Sequence, residues 1–69
     1  MPDASDPAVA AAELSSAATV LQDLVQRVAG AAEALSAAGI EQSANDLFEV
    51  ERSLQAASRR LSQTVRDLR

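Results

Sequence analysis

Large aliphatic residues recur every seven positions along this chain, and the series restarts once, just after Gly39. Leu14, Leu21, Val28 and Leu35 make the first series; Ile40, Leu47, Leu54, Leu61 and Leu68 make the second. A seven-residue apolar repeat falls slightly short of two α-helical turns, so helices that carry it pack side by side with a left-handed supercoil. With these residues labelled a of a heptad, helix 1 places Ala10, Ala17, Leu24, Ala31 and Ala38 at d, and helix 2 places Ser43, Val50, Ala57 and Thr64 there. The expected fold is all-α: an antiparallel two-helix hairpin, coiled-coil-like, with an Ala/Leu heptad seam.

Local signals set the boundaries. Asp6 can accept from the free amides of a first helical turn, and Pro7 suits the first helical position, where no donor is needed. Residues 1–5 lack an apolar anchor and are expected to be disordered, leaving 6–69 as one domain. Helix 1 is expected over 7–38, the turn over 39–43 and helix 2 over 44–68. Gly39 can take the left-handed conformation that closes a helix, with Ile40 folding back towards Leu35. Ser43 is the expected N-cap of helix 2, with Asp46 three residues on. So short a linker makes the helices antiparallel neighbours.

Folding about that turn sets Leu35 near Leu47, Val28 near Leu54, Leu21 near Leu61 and Leu14 near Leu68, with Leu24 near Ala57 and Val50 near Ala31 between them. The expected seam is thus Leu14, Leu21, Leu24, Val28, Leu35, Ile40, Leu47, Val50, Leu54, Leu61 and Leu68. Apolar residues extend beyond it. Val20, Val25 and Val65 flank the seam, and a stripe wider than a and d belongs to a helix with more than one neighbour. Two hairpins pairing into a four-helix bundle would cover it, and two-fold dimers are the commonest oligomers. The only aromatic residue, Phe48, falls at b, either displayed to a partner or covering the turn or the dimer core. Val20, Val25, Phe48 and Val65 are therefore the expected partner or dimer interface.

Charge suits an antiparallel pair. Residues 1–39 carry one arginine against five acids, 1 − 5 = −4, and residues 52–69 carry five arginines against one acid, 5 − 1 = +4. The basic end of helix 2 thus lies beside the acidic start of helix 1. Arg52, Arg59 and Arg66 recur at f, with Arg60 beside them, as a ridge that fits an anionic partner or, more simply, a solvated face.

Composition narrows the chemistry. The chain has no Cys, His, Lys, Tyr or Trp, which removes disulfides, the usual zinc ligands, thiol nucleophiles and most general bases. No enzyme, cofactor, metal or small-molecule substrate is expected. A domain below about 70–80 residues commonly needs a staple, and association is the one left. The acidic N-terminus is unlike a signal peptide, and Glu13, Asp23 and Glu33 interrupt the apolar stretches, so no membrane span and a cytoplasmic location are expected.

In plan the chain resembles small hairpin dimers such as the plasmid copy-number regulator Rop and the secreted WXG100-type proteins. It has Gly39-Ile40 where the latter have Trp-x-Gly, and the similarity is one of architecture. The expected function is a protein–protein interaction module: a small adaptor, assembly subunit or regulator whose partner is itself or another helical protein. The alternative is a nucleic-acid-associated regulator using the arginine ridge.

Overall fold

A computed structural model describes residues 6–68, so the expectation for residues 1–5 lies outside the described residues. Two helices, α1 (Pro7–Ala37) and α2 (Glu41–Asp67), pack against each other as a hairpin. The molecule measures 53 × 18 × 13 Å.

The start of α1 follows the capping chemistry of its sequence. The Asp6 carboxylate accepts from the Ala8 amide at 2.8 Å, and Pro7 occupies the first turn. Its end is a Schellman turn. The Gly39 amide donates to the Ser36 carbonyl at 3.0 Å and the Ile40 amide to the Leu35 carbonyl at 2.9 Å. Gly39 sits at φ +81°, a conformation that costs an L-residue energy and glycine none.

The turn is shorter than expected. Ile40 is at once the last residue of the Schellman turn and the N-cap of α2, its carbonyl accepting from the Ala44 amide at 3.1 Å. Ser43 is therefore not the cap: it lies inside the first turn of α2, which begins at Glu41. The reason is that Ile40 supplies a backbone acceptor directly, and no side chain hydrogen-bonds at this cap.

The seam also lies on a different edge of the helices. Ala11, Val25 and Ala32 of α1 and Ala44, Ser58 and Val65 of α2 are buried, and these are e positions. The a residues Leu14, Leu21, Val28, Leu35, Leu47, Leu54 and Leu61 are half-buried beside them. Leu24 and Val50, expected at the centre of the seam, are 41% and 44% exposed. Ile40 and Leu68 are exposed as well. The helices thus meet along a and e rather than a and d. With alanine at three of the four e positions of α1 (Ala11, Ala18 and Ala32), the backbones can come close on that edge.

Gly30 lies on an exposed part of α1, and a methyl group there would meet nothing within 4 Å. No close crossing explains it.

Candidate functional site

The a/e contact makes the hairpin two-faced. In antiparallel helices the d positions, about 100° around from e, project to the same broad side of the pair. That side carries Leu24 and Val50 at its centre, the half-buried a residues towards the seam, and Val20, 60% exposed, on the outer edge of α1. It is apolar along most of its length. The other large exposed aliphatics, Ile40 and Leu68, are also a residues, one in the turn and the other at the end of α2.

The opposite side is polar. A shallow groove there runs between the helices, lined by Gln22, Val25, Gln26 and Ala29 from α1 and by Glu51, Gln55, Ser58 and Arg59 from α2. Gln55 donates to Glu51 at 3.4 Å, holding that carboxylate along the groove. Further along, Ser15 and Ala18 face Ser62, Val65 and Arg66. Arg52, Arg59, Arg60 and Arg66 are all exposed, and the Arg66 guanidinium donates to Gln63 at 2.8 Å. The arginine ridge is thus a solvated surface on α2, and its f members share the polar side.

The four residues grouped as a partner interface are separated. Val25 and Val65 are buried between α1 and α2. Val20 lies at the edge of the apolar face. Phe48, at b, is half-buried near the turn, flanking the seam on the polar side. Leu24 and Val50, taken as internal, prove to be the accessible ones. No signal in the sequence separates them: Glu51 and Ser58 at e on α2, against Val50 and Ala57 at d, argue for the edge opposite to the one observed. A hairpin that puts Ser58 inside and Val50 outside has its richest apolar surface still uncovered.

Among the described residues no group of three or more Asp and Glu side chains is placed to hold a metal ion. By length and composition α1 is apolar enough to cross a membrane. The alanines, valines and leucines around Glu13 and Asp23 outweigh those carboxylates, so the acids do not exclude a span as expected from sequence. A helix flanked by protein on two sides has the same composition.

The chain matches no protein-family model, no curated protein and no solved structure.

Proposed function

We propose that this chain is a non-enzymatic interaction module that works by closing its apolar d/a face against two further helices, completing a four-helix bundle. The observation that carries this reading is the inversion of polarity: Ser58 is buried and Glu51 half-buried while Leu24 and Val50 stand exposed. Burial of apolar surface is worth about 25 cal/mol per Å². A chain that leaves its leucine face in water and buries a serine therefore gains most of its hydrophobic stabilisation on association. In a four-helix bundle, a and d form the common core and the flanking positions meet the neighbouring helix, and the e residues already meet the neighbouring helix within this hairpin.

In this role the chain serves as an adaptor, assembly subunit or regulator. Its affinity comes from Leu24, Val50, Val20 and the half-buried leucines. Its charged side chains keep the assembled bundle soluble in the cytoplasm. Protein rather than lipid suits the face, because α2 packs along α1 and carries nine charged residues from Glu41 to Asp67. Holding those charges beside a membrane-inserted α1 would be costly.

The test is association of Leu24→Glu and Val50→Glu variants, alone and together, measured by sedimentation. Loss of association with helicity retained at high concentration supports the reading. Unchanged association removes this face from it. Flotation of the wild-type chain with neutral phosphatidylcholine vesicles would instead favour lipid as the covering surface.

A further inference from the structure

The apolar face accepts two helices, and its size, pattern and charge point to which two. We infer that the partner is a second copy of this chain, laid face to face and antiparallel, so that each turn lies beside the other copy's termini. This rests on the reading of the d/a face as the interaction surface.

Size and shape fit a second copy. The broad side of the hairpin, 53 by 18 Å, outlines an area of about 950 Å². A stable interface needs about 800 Å² from each partner. A two-fold interface must also be self-complementary. With the axis crossing α1 between residues 22 and 23, near the midpoint of Pro7–Ala37, each a residue of one copy meets a d residue of the other. Leu14 then lies over Ala31, Leu21 over Leu24, Val28 over Ala17 and Leu35 over Ala10. Three of those four layers set a large side chain on an alanine. In α2, where the level of that axis falls near residue 59, the same operation sets Leu61 over Ala57, Leu54 over Thr64 and Leu68 over Val50.

Packing of this kind is available with the copies parallel as well, so direction has to come from charge. Residues 23–56, the half of the hairpin that includes the turn, carry two arginines and six acids, 2 − 6 = −4. The remaining described residues, at the open end, carry three arginines and three acids, 3 − 3 = 0. All of the net charge therefore sits at the turn end. A parallel dimer would stack two turn ends of −4 within a screening length of about 8–10 Å. The antiparallel dimer separates them by most of the molecule's length. It also brings Glu41, Asp46 and Glu49 of one copy towards the end where Arg66 of the other lies.

The experiment is a spin-label distance measurement on Gln42→Cys, made together with the solution mass. Gln42 is exposed beside the turn, and the chain has no other cysteine. At 1.5 Å per residue the antiparallel dimer separates the two labels by about 50 Å, against about 20 Å or less in the parallel one. The expected result is a mass twice 7.2 kDa with the long distance. The same mass with the short distance overturns the antiparallel arrangement and leaves the face reading intact. A monomer, or any mass other than a dimer's, overturns self-pairing. If the dimer forms but persists in the Leu24→Glu/Val50→Glu variant, the face reading itself fails.

Discussion

The two broad sides of the hairpin are built from the same two helices and could hardly differ more. One presents Leu24, Val50 and Val20; the other presents Gln22, Gln26, Gln55 and Arg59 around a shallow groove. Between them the helices meet through small or modest residues, with Ala32 and Ala44 fully buried and Ser58 nearly so. No large side chain is fully buried among the described residues. The contrast teaches that the intramolecular seam fixes the geometry of the hairpin, whereas Val20, Leu24 and Val50 stand exposed on one outer face.

The largest expected effect sets one side against the other. Leu24→Glu with Val50→Glu places two carboxylates in the proposed bundle core, where an unpaired charge costs several kcal/mol. Self-association should weaken at least about 100-fold, since each 1.4 kcal/mol is tenfold. Gln22→Glu with Gln55→Glu, on the polar side, should leave it within about twofold. Sedimentation of the two double variants checks both. Equal effects would break the distinction between the faces.

Next come the seam residues. Val25→Ala removes buried methyl groups and should destabilise by about 1–3 kcal/mol in chemical denaturation, and Val65→Ala likewise. Because both are inside the hairpin, the loss should be present at every protein concentration. A deficit that vanishes at high concentration would place Val25 in an intermolecular contact instead.

That result bears on how much of this arrangement can be read from sequence. The helices, the Asp6 cap and the Schellman turn are legible because each depends on a few adjacent residues: an acid before a proline, a glycine after an alanine. The choice of seam edge is not. On α1 the d positions read Ala10, Ala17, Leu24, Ala31 and the e positions read Ala11, Ala18, Val25, Ala32, two nearly identical stripes on either side of the leucine series. Nothing local says which stripe meets α2. The same ambiguity misassigned Val25 and Val65 to the outer interface and Leu24 and Val50 to the interior. Likewise Ser43 has the chemistry of an N-cap, but the carbonyl of Ile40 is reached first because the Schellman turn already positions it.

Smaller effects sharpen the picture of the hairpin as a rigid half. Gly39→Ala should cost about 1–2 kcal/mol, because φ is +81° there. Asp6→Ala should cost about 1 kcal/mol by removing the cap on Ala8. Gly30→Ala should do the opposite, stabilising by about 0.5–1 kcal/mol, since the added methyl meets nothing and the helix gains propensity. Thermal melts at fixed concentration compare all three. A destabilising Gly30→Ala would mean that another helix crosses closely at that point.

The smallest effect is expected on the arginine ridge. Arg52→Glu with Arg59→Glu changes two exposed groups on the polar side and should shift stability by less than about 0.5 kcal/mol, with the mass unchanged. If the wild-type chain binds a polyanion and this variant does not, the ridge has a partner of its own, and affinity should then fall steeply with salt.

The central claim is that the apolar face is closed by association, and sedimentation equilibrium across a wide dilution range, with helicity followed in parallel, tests it most directly. The account predicts a species of twice 7.2 kDa at high concentration that loses mass on dilution, with the thermal stability of its helices falling as it dissociates. A 7.2 kDa monomer that stays fully helical at every concentration would contradict it.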